Sequence, residues 1–122
     1  MAFVEQSDAV LVVEDEPLIR MDVAATFEEA GYKVYEAANA DEAVGLLEEF
    51  ADIHALVTDV DMPGSIDGLE LAHYARSDRR IKIIVTSGHV KIETRDLPPA
   101  AIFLKKPCRA GDIVETLREM AT

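Results

Sequence analysis

Four apolar runs in this chain end in side chains able to do chemistry. Glu14, Asp15 and Glu16 follow the run from Ala9 to Val13, and Asp59 closes the run from Ala55, with Asp61 two residues on. Thr86 and Ser87 close the run from Lys82, and Lys105 and Lys106 follow Ala101 to Leu104. Carboxylates brought together repel one another unless they are protonated or bridged by a cation. A hard divalent ion such as Mg²⁺ takes oxygen ligands and keeps room for water and a phosphoryl oxygen. With charge masked in this way, one carboxylate can attack phosphorus, and a lysine and a hydroxyl can steady the transferred oxygens. A nucleotide or flavin cradle is excluded, because the turn Val13-Glu14-Asp15-Glu16-Pro17 has no glycine and three negative charges.

These groups can cooperate only if the runs end at one edge. The runs at Ala9 to Val13, Ala55 to Asp59 and Lys82 to Ser87 are nearly continuous Val, Leu and Ile, as expected of parallel strands buried on both faces. Lys33 to Ala37 and Ala101 to Lys105 complete five strands. Between them, Pro17 opens a helix with Ile19, Val23, Phe27 and Ala30 on one face, stopped by Gly31. Asn39 and Glu42 suit a capped start for a second helix, whose inward stripe is Ala43, Val44, Leu47 and Phe50. A third helix is expected from about Gly68 to Ser77, and a last from about Ala110 to Met120 with Ile113, Leu117 and Met120 inward. Between His89 and Ala100 the periodicity is poor and Pro98 and Pro99 intervene, so a fourth helix there is short or irregular. Alternating strands and helices imply a doubly wound α/β fold with helices on both faces, its ligand site beyond the carboxyl ends of the strands.

The chain has 122 residues, one domain from 1 to 122, and carries 24 acidic against 12 Lys and Arg side chains, a net charge of −12. That charge disfavours nucleic acid and anionic membrane surfaces. Hydrophobic residues at 49% in separated runs argue against disorder. One cysteine, Cys108, excludes an internal disulfide and a multi-cysteine zinc site. The lack of a signal-like segment or a run of membrane-spanning length points to a cytoplasmic protein.

Five fragments, in order, resemble the receiver domain of bacterial two-component response regulators: Leu11 to Pro17, Leu56 to Pro63, Asp67-Gly68, Ile84 to Gly88, and Phe103 to Pro107. The resemblance covers essentially the whole chain. It implies a flavodoxin-like five-stranded sheet in the order 2-1-3-4-5 and a signalling protein, with no enzymatic role beyond phosphoryl acceptance and slow autodephosphorylation. Asp59 would be the phosphoacceptor, fed by a sensor histidine kinase or a histidine phosphotransfer protein. Asp15, Asp59 and the Asp61 backbone carbonyl would hold Mg²⁺, with Glu14 acting through a water. Ser87 would be the switch hydroxyl and Lys106 the phosphoryl-pairing lysine, aimed by a cis bond to Pro107. Phe103 would be an aromatic switch coupled to the hydroxyl, or simply a packing residue. His89 and Asp61 fall where the family tunes phosphoryl lifetime.

Several readings compete. Thr86 and Ser87 face opposite ways on a strand, so one reaches the site; Gly88 favours Ser87, with Thr86 the alternative. The same parity separates Lys106 from Lys105, and the proline favours Lys106. Glu16 reads as a solvated neighbour of a helix start, and Cys108 as a small half-buried residue. His54, His73 and His89 share no ligand-like spacing. Asp59-Val60-Asp61 also matches the Asp-x-Asp of haloacid-dehalogenase-like phosphatases, although that family places it on a first strand. A docking module that does not use phosphorylation is a third reading. Departures from the receiver pattern are Glu14 in place of the commoner aspartate, a loop lengthened by Gly64-Ser65-Ile66, and Cys108 where an aromatic is usual. With 122 residues used by one receiver, the signal is expected to leave through a downstream protein target, the chain being a monomer or weak dimer.

Overall fold

The computed structural model describes residues 9–62, 64, 66–78, 80–88 and 92–120. Five strands, β1 (Ala9–Val13), β2 (Lys33–Ala37), β3 (Ile53–Asp59), β4 (Lys82–Ser87) and β5 (Ile102–Lys105), form one parallel sheet in the order β2-β1-β3-β4-β5. Helices α1 (Pro17–Glu29), α2 (Ala40–Glu49), α3 (Gly68–Asp78) and α4 (Ala110–Glu119) cover it. Strand β3 starts two residues earlier than the apolar run suggested, because Ile53 is buried although His54 beside it is exposed. Strand β5 starts one residue later, at Ile102.

The central strands explain the sequence pattern. Every residue of β1 is buried and so is nearly every residue of β3 and β4, whereas the edge strands β2 and β5 are mostly half-exposed. Successive side chains feed two cores on opposite faces of the sheet. Leu11, Val13, Leu56, Ile83 and Val85 meet Ala43 and Leu47 of α2 and Leu71 and Ala75 of α3. Val10, Val12, Val57 and Ile84 meet Val23 and Phe27 of α1 and Ile113, Val114 and Leu117 of α4.

Local chemistry ends the helices as the sequence suggests. The Asn39 side chain accepts from the Glu42 backbone N–H at 2.8 Å, while Glu42 returns to the Ala38 N–H. Pro17 opens α1, and Gly31 follows it with a positive φ of 99°. One expected core residue is misplaced: Ile19 is 44% exposed, because the first turn of α1 projects past the strand ends, and Ala24 joins Val23 and Phe27 inside instead. Between β4 and β5 the described residues contain a single 3₁₀ turn, Thr94–Asp96, in place of a fourth α-helix. The loop expectation at Gly64-Ser65-Ile66 falls partly on Ser65, outside the described residues. Among the described residues no helix is long and apolar enough to cross a membrane.

Candidate functional site

The ladder continues past the ends of the strands and fixes the loops that carry the acids and the lysine. Glu14 N–H donates to the Ala37 carbonyl at 3.1 Å, Val60 N–H to Thr86 at 2.9 Å, and Lys106 N–H to Ser87 at 2.9 Å. The adjacent Lys106–Pro107 peptide is cis. Gly68 opens α3 so closely against β3 that a Cβ there would collide with the Asp59 carbonyl, and its N–H donates to the Val60 carbonyl at 3.2 Å.

These restraints bring Glu14, Asp15 and Asp59 together, each with a carboxylate oxygen within 4.8 Å of the others'. Glu14 and Asp59 are buried, while Asp15 is exposed. Lys106 Nζ lies 3.0 Å from Glu14 Oε1 and 3.3 Å from Asp59 Oδ2. The second oxygen of Glu14 accepts from the Glu16 N–H at 3.1 Å. Burial is the main influence on both acids and raises their pKa, against the pull of Lys106. Burial lowers the pKa of Lys106, but hydrogen bonding to Glu14 and the charges of Asp59 and Glu14 overcome it, and the net direction is upward. The lysine therefore stays charged between two carboxylates that burial disfavours as anions.

The donor set fits a hard cation. Asp59 Oδ1 is buried and has no hydrogen-bond partner among the described residues, a costly state that a bound cation or a transferred group would relieve. The acids line a cavity of about 740 Å³ that runs on between α1 and α4, past Ile19, Cys108 and Ile113.

The remaining expected residues divide. Ser87 is buried and its hydroxyl donates to Asp61 Oδ2 at 3.1 Å, so the Asp61 carboxylate, at the position the resemblance links to phosphoryl lifetime, contacts the expected switch hydroxyl. Thr86 is buried one position earlier and lines the cavity with Asp59 and Lys106. Phe103 is half-buried against the core on the α2 and α3 side. Lys105 and Glu16 are exposed, and Glu16 makes no side-chain cap to α1. Cys108 is half-buried, its thiol pKa raised by burial. His54 and His73 each pair with a distant or local backbone carbonyl, of Asp52 and Asp96, away from the acids. His89 lies outside the described residues.

Sequence reasoning missed Arg20. From α1 it donates to the Glu14 carbonyl at 2.9 Å and lies 3.4 Å from Glu36 of β2, tying the acidic turn to the sheet. The available signal was weak: a cation one turn into a helix that follows three acids.

A doubly wound sheet whose carboxyl edge gathers three carboxylates and a lysine defines a phosphoacceptor-like α/β class. The family model described as the response regulator receiver domain matches residues 10–118, and the chain belongs to that family. The sensor kinase CckA of Brucella abortus is 37% identical over 119 residues, which is 93% of this chain and 12% of the kinase. The chain spans 12% to 54% of the length of the first curated relatives it matches. A response regulator receiver protein from Sinorhizobium medicae is similar with a TM-score of 0.86 and 26% identity, over 94% of each chain. The response regulator TrrA of Thermotoga maritima, solved in complex with Mg(2+)-BeF, is similar with a TM-score of 0.78 and 25% identity, over 93% of this chain and 99% of that one. The phosphatase alternative finds no support, since Asp59 lies on the third strand of a receiver sheet whose first strand delivers its own acids.

Proposed function

We propose that this receiver accepts a phosphoryl group on Asp59 from a phosphohistidine of a sensor histidine kinase or phosphotransfer protein, and signals by protein contact. The observation that carries this reading is the buried, unpartnered Asp59 Oδ1 beside a lysine that already grips the other oxygen of the same carboxylate.

Asp59 Oδ1 would attack phosphorus as the P–N bond to the donor imidazole breaks, the imidazole nitrogen keeping the electron pair. Lys106, held 3.3 Å from Asp59, would follow the phosphoryl oxygens and offset their charge. The Ser87 hydroxyl would turn from Asp61 towards the same oxygens, with Thr86 as the alternative donor. Asp15, Asp59 and the Asp61 carbonyl would hold Mg²⁺, with Glu14 reaching it through water. Mg²⁺, when bound, would supply the charge neutralisation that lets an anionic nucleophile approach an anionic phosphoryl group. Phe103 would either follow the hydroxyl or only pack. The phosphoryl group would leave by slow hydrolysis at the same site or by onward transfer.

Docking of the donor is supported by three exposed apolar side chains on the first turns of α1, Leu18, Ile19 and Met21 at 75%, 44% and 58%, beside the cavity that holds Asp59. An apolar helical partner covering them would bring its histidine to the acidic edge. Supplied by a kinase that draws on ATP, the receiver would work in the cytoplasm.

The test is incubation with acetyl phosphate and Mg²⁺, read by intact mass. The native chain gains one phosphoryl group, and Asp59→Asn and a metal-free control gain none. A native chain that stays unmodified would overturn the reading.

A further inference from the structure

The amino-terminal ends of the strands, at the opposite edge of the sheet from Asp59, enclose a second cavity of about 610 Å³. Its walls include Val10, Ile81, Ile102 and Leu117, so much of its lining is apolar. Three cations, Arg76, Arg80 and Lys82, also line it. In a chain with a net charge of −12 this gathering is unusual, since Lys and Arg supply only 12 residues in all. Among the described residues no ion pair joins any of the three to a carboxylate, although Glu119 lines the same cavity.

Arg76 sharpens the point. Its Nε is buried and, among the described residues, has no hydrogen-bond partner. A guanidinium in the last turn of α3 also answers the negative end of that helix, and this accounts for a cation there. It does not account for an N–H left unsatisfied, nor for Arg80 and Lys82, which lie beyond the helix. A guanidinium fork matches a carboxylate, sulfonate or phosphate, and the apolar walls match a hydrocarbon or aromatic body of ligand size. Inorganic phosphate alone would leave those walls unused.

We propose that this cavity binds a small organic anion, an apolar or aromatic body carrying one acidic group, with Arg76 and Arg80 on the acid and Ile102 and Met120 against the body. The site is independent of the acidic edge, so its occupancy and phosphoryl acceptance are tested separately.

The probe is 8-anilino-1-naphthalenesulfonate, which joins an aromatic body to one sulfonate. Titration of the folded native chain, followed by amide chemical shifts, gives saturable binding at one site with shifts centred on Ile81, Lys82, Ile102 and Leu117. Arg76→Gln with Arg80→Gln weakens binding by about tenfold or more, the worth of one charge-assisted hydrogen bond, while far-ultraviolet circular dichroism stays native. Asp59→Asn binds as the native chain does. Inorganic phosphate at equal concentration produces no saturable shift there. The proposal is overturned by shifts confined to α1 and Cys108, by equal binding to the double variant, or by no saturable binding. Saturable phosphate binding at the same residues would overturn the organic-anion class and leave a simple anion site.

Discussion

The hydroxyl of Ser87 donates to the carboxylate of Asp61 across 3.1 Å, a bond between the loop after β3 and the end of β4. Under the proposed function a phosphoryl oxygen on Asp59 would compete with the Asp61 carboxylate for this donor. If Ser87 is the switch hydroxyl of the proposed function, it would have to leave Asp61 as Asp59 takes up the phosphoryl group, a two-state exchange that phosphorylation would bias. Removing the competitor is expected to speed the reaction. Asp61→Ala keeps the backbone carbonyl and should raise the rate of labelling by acetyl phosphate several-fold, roughly the worth of one modest hydrogen bond. Time-resolved intact mass measures it, and an unchanged or slower rate would show that Asp61 does not restrain Ser87.

Lys106 holds two carboxylates at 3.0 and 3.3 Å, so it offsets their charge and would compete with a divalent cation bound there. Lys106→Ala should separate these effects. Mg²⁺ affinity, followed by calorimetry, should be equal or tighter, while labelling slows by about 100-fold for want of a charge on the phosphoryl oxygens. Parallel losses of both would mean the lysine acts only in shaping the site.

Asp59 is a buried acid whose pKa is raised chiefly by burial, so its charge opposes folding in metal-free buffer at neutral pH. Asp59→Asn should be more stable than the native chain by about 1 kcal/mol, a gain of the size seen when a functional site is relaxed. Thermal unfolding without metal checks it. A variant with a lower Tm would show that the anion is well compensated by Lys106.

Asp52 is shifted in the other direction. Burial raises its pKa, but hydrogen bonds from Lys33 at 3.0 Å and Tyr35 at 2.9 Å outweigh this and the net direction is down. An acid with a folded-state pKa below its unfolded value adds stability that is present above the unfolded pKa and lost as pH falls through the folded one. Asp52→Asn should therefore lower Tm slightly at neutral pH, and the two chains should converge in acid below the carboxylate range. The group is partly exposed to solvent, so salt should shrink the difference. A gap that persists in acid would assign the effect to lost packing.

Much of this molecule could be read from residue types and spacing. Glu14, Asp15, Asp59 and Lys106 stood out because they end apolar runs, and a parallel sheet brings such ends to one edge. Val23, Phe27, Leu47 and Leu117 followed from helical periodicity. Ile19 did not, because periodicity says which side of a helix is apolar but not where the sheet beneath it stops. The bond between Ser87 and Asp61 and the tether from Arg20 to the Glu14 carbonyl depend on side-chain rotamers across two loops, which spacing does not encode. The cavity beside Arg76 was hidden for a similar reason: its walls come from the starts of β1, β4 and β5 and the end of α4, segments far apart in the chain.

The central claim is that Asp59 itself takes the phosphoryl group. Phosphorylated chain reduced with borohydride converts an aspartyl phosphate to homoserine, and peptide mapping then reports which acid was modified. The account predicts homoserine at position 59, and at neither 15 nor 61. Homoserine at either of those positions, or phosphate recovered on Ser87 or Thr86, would contradict it.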